Sequence, residues 1–162
     1  MEPFAFEKLF NQYYTQLRNF LYYKSGNMDL AEDLTQDAFL ILWNKRESID
    51  QGKVKSYLFT IANNLFLNDV KHKKVVMRFN QQPVSSTYTE TPQHLMEQEE
   101  FLGKLEAALG ALDEKNRVVF LMNRIDKLTY REIADRLELS VKAVEKRMTK
   151  ALQTLREIDP RI

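Results

Sequence analysis

Residues 128–157 read LTYREIADRLELSVKAVEKRMTKALQTLRE. Thr129 followed three residues on by Glu132 forms a capping box, which opens a helix by satisfying two amides that would otherwise lack partners. Ile133 and Ala134 fall on the inner face of that helix, and the small Ala134 lets a second helix cross closely. Leu137, Glu138 and Leu139 make the turn. Ser140 caps the next helix, with Val141, Val144 and Met148 facing inward and Lys142, Glu145, Lys146, Thr149 and Lys150 facing outward. This is helix-turn-helix spacing. The second helix of such a motif enters a major groove about 12 Å wide and reads base edges, while neighbouring Lys and Arg neutralise phosphates. Capped helices joined by short turns also occur as plain packing units; the fit to the whole named motif favours the first reading. One departure stands at Glu138, where such turns usually carry Gly. A non-glycine residue in left-handed geometry costs roughly 1–2 kcal/mol, so a slightly altered turn is expected within an intact motif.

Working back from this stretch, Asp113 is placed to cap a helix holding Val118, Val119, Leu121 and Met122. Before it, Leu95, Phe101, Leu102, Leu105, Leu109 and Leu112 recur at helical spacing. Residues 82–93, QPVSSTYTETPQ, carry two prolines and mostly polar side chains, too little apolar area to fold alone. They read as a linker, and the expected division is a domain over 1–80, a linker over 81–94 and a domain over 95–162.

The first domain reads as three helices. Phe6, Leu9, Phe10, Tyr13, Leu17, Phe20 and Leu21 form one amphipathic stripe that stops at Gly26-Asn27, a pair suited to a positive backbone angle. Asp29, with Glu32 three residues on, is placed to cap a second helix whose stripe runs through Leu30, Leu34, Ala38 and Ile41 or Leu42 towards Trp43. Ser48 to Gly52 reads as a loop. From Lys53 a long helix carries Leu58, Ile61, Ala62 and Leu65 on its inner face. No strand alternation of useful length and no fixed-period repeat is visible, so the expected fold is all-α: two small helical domains joined by a flexible linker.

Composition narrows the function. The chain of 162 residues has no cysteine, which excludes disulfides and thiolate metal sites, and His72 and His94 are too far apart to begin a metal cage. No apolar run approaches the ~20 residues that span a bilayer, and the amino terminus lacks the basic and apolar blocks of a signal peptide. A cytoplasmic protein without membrane insertion is expected. The formal charge of +1 hides a segregation. Residues 1–80 carry 11 basic and 9 acidic groups, residues 101–162 carry 13 and 10, and residues 81–100 hold four acids and no Lys or Arg. Cations cluster at Lys71, Lys73, Lys74 and Arg78 and again at Lys142, Lys146, Arg147, Lys150 and Arg156. Two such footprints on a near-neutral chain fit two contacts with a polyanion, or two ordinary solvated helix faces.

Residues 112–152, LDEKNRVVFLMNRIDKLTYREIADRLELSVKAVEKRMTKAL, resemble the minus-35-binding domain of bacterial sigma factors. Asp113 stands where that family commonly has proline. AEDLTQDAFLILW at 31–43 resembles the sigma helix that docks on the polymerase clamp, and KSYLFTIANNLFLNDVKHKK at 55–74 resembles the helix that melts and reads the minus-ten element. Two domains and a short linker, with no further domain, are similar to the extracytoplasmic-function (ECF) sigma factors of the sigma-70 family.

The resemblance implies a set of roles. Sigma region 2 would occupy 1–80 and region 4 would occupy 95–162. Asp33, Gln36, Asp37 and Phe39 match polymerase-docking positions. Tyr57, Asn64, Lys71, Lys73, Lys74 and Arg78 match the minus-ten contacts, Asn64 lying near the extruded base. Ser140, Lys142, Ala143, Glu145, Lys146, Arg147 and Lys150 match the minus-35 contacts. Core RNA polymerase, promoter DNA and an anti-sigma factor are the implied partners; no small-molecule substrate, cofactor or metal is implied. Spacing agrees in part, because Asp33, Gln36 and Asp37 stand largely opposite Leu34, Ala38 and Leu42 and are free to bond a basic helix. An acidic run early in a helix also favours the dipole with no partner present. Tyr57 and Phe59 remain open between base stacking and the core.

Two other functions compete with this reading. A stand-alone helix-turn-helix regulator would use only the last domain and would need a ligand-binding or phosphoryl-acceptor domain before it, for which residues 1–80 show no motif. An enzyme would have only Asp33, Asp37 and His72 to start from, with no nucleophile, base and orienter at telling spacing, so no catalytic residue is assigned.

Overall fold

The computed structural model describes residues 3–72 and 103–160, all helix and turn with no strand among them. The chain divides into two compact units, Met1–Arg78 and Phe79–Ile162. The expected linker 81–94, Leu95, Phe101 and Leu102 lie outside the described residues.

In the first unit, helix α1 spans Pro3–Ser25. Gly26 ends it at φ 68, a left-handed geometry that favours glycine, with its amide donating to the Tyr22 carbonyl at 2.7 Å. Helix α2 spans Met28–Asn44. Its cap is Asn27, whose Oδ1 accepts from the Leu30 amide at 3.1 Å, and not Asp29. Asp29 sits inside the first turn, two residues past the cap, where its carboxylate still meets the positive end of the dipole. The expected loop over 48–52 is tighter than a loop. It consists of two short 3-10 turns, Arg46–Ser48 and Gln51–Lys53, the second capped by Asp50, whose Oδ1 accepts from the Gly52 amide at 3.0 Å. Helix α3 follows over Val54–His72.

Helix α2 packs against both α1 and α3. The core joins Leu17 and Leu21 of α1, Ala31, Ala38 and Leu42 of α2 and Leu58 and Ala62 of α3, all fully buried. The three alanines let the axes approach. One end is filled by rings: Phe39 lies 4.8 Å from Phe10 and 6.2 Å from Phe6, and Phe6 lies 4.9 Å from Trp43. Such pairs add about 0.5–1.5 kcal/mol each beyond the area they bury.

The second unit begins in the described residues with helix α4 at 103–111. Helices α5 (Glu114–Arg124), α6 (Tyr130–Leu137) and α7 (Val141–Ile158) follow, with α7 packed on both α5 and α6. Asp113 stands at the amino-terminal cap of α5 but makes no side-chain capping bond. Every residue from Asn116 to Met122 is buried, including Arg117. The Arg117 guanidinium donates to the Leu112 carbonyl at 3.1 Å, which ties α5 to the chain leaving α4. Burial lowers its pKa from the ordinary arginine value, while the nearby Glu114 charge opposes the shift.

The capping box of α6 is complete: the Glu132 amide donates to Thr129 Oγ1 at 3.2 Å and the Thr129 amide to Glu132 Oε1 at 3.1 Å. The turn after it departs from expectation. It is not altered to suit glutamate, because Glu138 itself adopts the left-handed geometry, φ 56 and ψ 45. Two bonds hold it there, Leu139 amide to Ala134 carbonyl at 2.8 Å and Glu138 amide to Asp135 carbonyl at 3.4 Å. Ser140 Oγ then accepts from the Ala143 amide at 3.1 Å and opens α7. The inner stripe of α7 is Val144, Met148, Ala151 and Leu155. Val141, expected inward, is 39% exposed, because it is the first residue of the helix and lies beyond the end of that stripe.

Candidate nucleic-acid interface

Helix α7 presents two unlike faces. Behind lie Val144, Met148, Ala151 and Leu155, and in front Lys142, Glu145, Lys146, Thr149 and Lys150 are all exposed. From Lys142 to Lys150 is about 12 Å along the axis, the width of a major groove. Ala143 and Arg147 are half-buried at the flank. Successive helical residues diverge by about 100°, so Lys146 faces forward while Arg147 is turned to the side. Ser140 is exposed, with its oxygen engaged as the helix cap. A helix with cations in front and a continuous apolar back can lie in a groove without disturbing its own packing.

The first unit carries a second surface on α2. Asp33, Gln36 and Asp37 are exposed, in front of buried Leu34, Thr35 and Ala38. Phe39 is not part of that surface. It is 2% exposed, its ring held among Phe6, Phe10 and Tyr14, so it offers a partner no area to touch and instead keeps α2 seated on α1. The carboxylates of Asp33 and Asp37, one turn apart, suit a basic partner segment.

A third surface runs along α3. Tyr57, Asn64 and Lys71 recur at seven-residue intervals and therefore share a face; Asn64 and Lys71 are exposed and Tyr57 is half-buried. Phe59 belongs to the core, 6% exposed and edge-on to Phe20 at 5.3 Å. Lys73, Lys74 and Arg78 lie outside the described residues. Asn63 turns away from Asn64, and its Oδ1 accepts a hydrogen bond from Lys24 Nζ. Two further features were not read from the sequence. Arg46 stacks on Trp43 at 3.9 Å from the ring centre and bonds the Trp43 carbonyl at 2.8 Å, closing the end of α2. Leu67, in the midst of the polar stripe of α3, is 51% exposed. An i, i+3 cation–aromatic spacing could have suggested the first; no pattern marks the second.

Among the described residues no cluster of His, Asp or Glu could hold a metal ion, and no helix is long and apolar enough to cross a membrane.

Comparison with known proteins bears on both units. The family profile for Sigma-70 region 2 matches residues 9–75, and that for Sigma-70 region 4 matches residues 102–155. The ferric citrate uptake sigma factor FecI of Escherichia coli is 30% identical over 153 residues, covering 92% of this chain and 87% of that protein. The RNA polymerase sigma factor YlaC of Bacillus subtilis is 27% identical over 158 residues, covering 94% and 91%. Two solved structures share the fold. The sigma factor RpoE of Bartonella quintana, in complex with the anti-sigma factor NepR, superposes with a TM-score of 0.62 at 23% identity over 95% of this chain and 96% of that one. CnrH in complex with the cytosolic domain of CnrY does so with a TM-score of 0.63 at 23% identity, covering 97% and 88%. With sigma-70 profiles matching both units and sigma-factor relatives aligned across them, the chain belongs to the ECF group of the sigma-70 family of RNA polymerase sigma factors.

Proposed function

We propose that this chain docks on core RNA polymerase through Asp33, Gln36 and Asp37, with Phe39 positioning that face from behind, and directs the enzyme to promoters read at two places. Region 2, assigned to 1–80, would meet the melted minus-ten strand along α3 through Tyr57 and Asn64, with Lys71, Lys73, Lys74 and Arg78 on phosphates. Region 4, assigned to 95–162 beyond a linker at 81–94, would lay α7 in the minus-35 groove. There Lys142, Glu145 and Lys146 face base edges, and Ser140, Ala143, Arg147 and Lys150 lie against the backbone. The observation that carries this reading is the pairing, in one chain, of an exposed acidic face on α2 with an exposed basic face on α7, each backed by a continuous buried stripe.

The chain acts by positioning and not by catalysis: it supplies contacts and the polymerase supplies the chemistry. It works in the cytoplasm, where the polymerase and the promoter are. An anti-sigma factor is proposed as its restraint, on the ground that RpoE and CnrH, which share its fold, were solved with NepR and with CnrY. A tagged copy of the chain passed through a bacterial lysate is expected to retain core polymerase. Retention of DNA with no polymerase subunit would support a stand-alone regulator instead.

A further inference from the structure

We propose that Leu67 reads the 5-methyl group of an unpaired thymine, in partnership with the Asn64 amide beside it. This rests on the reading that the outer face of α3 meets the melted strand. Leu67 follows Asn64 by three residues, about 60° round the helix and about 4.5 Å along it, so the two side chains border one patch. Asn64 is exposed and Leu67 is 51% exposed. The patch is bounded by polar groups: Thr60 and Asn68 are exposed on the same face, and the exposed Lys71 stands one turn beyond Leu67. Leu67 and Val70, three residues apart and 51% and 45% exposed, make a small aliphatic patch in a polar, cationic stripe. Leu67 is the member beside Asn64, and the patch is small for a protein interface and fits one base whose phosphate lies towards the lysine.

The chemistry selects the base. A carboxamide offers one acceptor and two donors, which can pair with the polar edge of several unpaired bases and so discriminates poorly by itself. Thymine presents a carbonyl acceptor and a ring N–H donor to such an amide, and among the four DNA bases it alone carries a methyl group. Leu67 supplies the apolar surface for that methyl. Covering one methyl group is worth about a fourfold change in affinity.

The test uses the complete chain assembled with core polymerase and a promoter selected from a randomised pool by that holoenzyme. Each thymine of the non-template minus-ten strand is replaced singly by deoxyuridine, which removes only the methyl group. Open complexes are then measured for the unaltered chain, Leu67→Ser, Leu67→Met and Asn64→Ala. At one position the unaltered chain and Leu67→Met should lose about fourfold on losing the methyl, and Leu67→Ser should bind thymine and uracil alike. Equal binding of thymine and uracil by the unaltered chain at every position, with Asn64→Ala still impaired in opening, would overturn the Leu67 assignment and leave the α3 reading standing. Full opening by both Asn64→Ala and Leu67→Ser would overturn both. If Leu67→Ser lowers affinity for core polymerase and leaves the thymine–uracil difference intact, Leu67 faces protein and the proposal is wrong.

Discussion

Lys24 Nζ donates to Asn63 Oδ1 and lies 5.0 Å from the ring centre of Phe20 and 5.4 Å from that of Phe66, so α1 grips α3 through the residue just before Asn64. Adjacent asparagines thus have opposite tasks. Asn63 is half-buried against α1, and Asn64 is left exposed at a rotation that this contact sets.

Substitutions at the two positions should therefore separate. Asn64→Ala is expected to impair opening of a normal promoter much more than of one already mismatched at minus ten, because pre-melting removes an unpairing cost of a few kcal/mol. Asn63→Ala takes one acceptor from the half-buried Lys24 ammonium and should instead lower stability by about 1–3 kcal/mol. Permanganate footprinting of unpaired thymines on both templates, with thermal melts of both variants, makes the comparison; matching footprints for Asn64→Ala and the unaltered chain would make Asn64 a structural residue.

On α2, Asp33→Arg and Gln36→Ala should each weaken binding to core polymerase while the melting temperature stays unchanged, because both side chains are exposed and neither supports the core. Phe39→Ala should weaken docking only together with a loss of stability of about 3–5 kcal/mol, the usual cost of emptying a buried ring site. Polymerase affinity measured beside thermal stability distinguishes a contact residue from a positioning one. A docking loss in Phe39→Ala with no loss of stability would return Phe39 to the contact surface.

Lys146 and Arg147 should differ in kind. Lys146 faces forward from α7, and its replacement by Ala should cost about 1–3 kcal/mol on the cognate minus-35 duplex and relax discrimination at one base pair. Arg147 is half-buried at the flank, so Arg147→Ala should weaken all duplexes alike and make the salt dependence shallower by about one phosphate contact. Duplex binding across a salt series resolves the two. Equal binding by the double variant at every salt concentration would remove α7 from the groove.

The strained turn gives a prediction about stability alone. Glu138 holds φ 56 without being glycine, at roughly 1–2 kcal/mol, while glycine would return about 0.5–1 kcal/mol through the freedom it adds to the unfolded chain. Glu138→Gly should thus raise stability by about 0.5–1 kcal/mol, read as a higher melting temperature. Thr129→Ala should lower it by about 1 kcal/mol through loss of the capping box.

Legibility in the sequence followed the range of the forces involved. The Thr129–Glu132 box, the Ser140 cap, the Gly26 stop and the Val144–Met148 stripe were readable because each depends on residues within a turn or two of one another. Asp29 misled because Asn27, two residues earlier, competes for the same cap with a better geometry. The two 3-10 turns between α2 and α3 carry no periodic signal and read simply as loop. Long-range placement was hidden: nothing local says that Phe39 turns into a ring cluster with α1, that Arg117 is fully buried against the Leu112 carbonyl, or that Lys24 reaches Asn63 across 39 positions. For the candidate site, exposure of the α7 cations followed from helical spacing, whereas the choice between core and surface at Phe59 required the third dimension.

Reconstitution tests most directly whether this one chain joins polymerase to a promoter read at two places. Core polymerase that cannot start at promoters alone is mixed with this chain on genomic DNA, and the transcript starts are sequenced. Discrete starts sharing two upstream sequence blocks are expected, lost with Asp33→Arg and shifted in preference with Lys146→Ala. Starts no more specific than those of core polymerase alone, in a mixture where the chain binds duplex DNA, would contradict it.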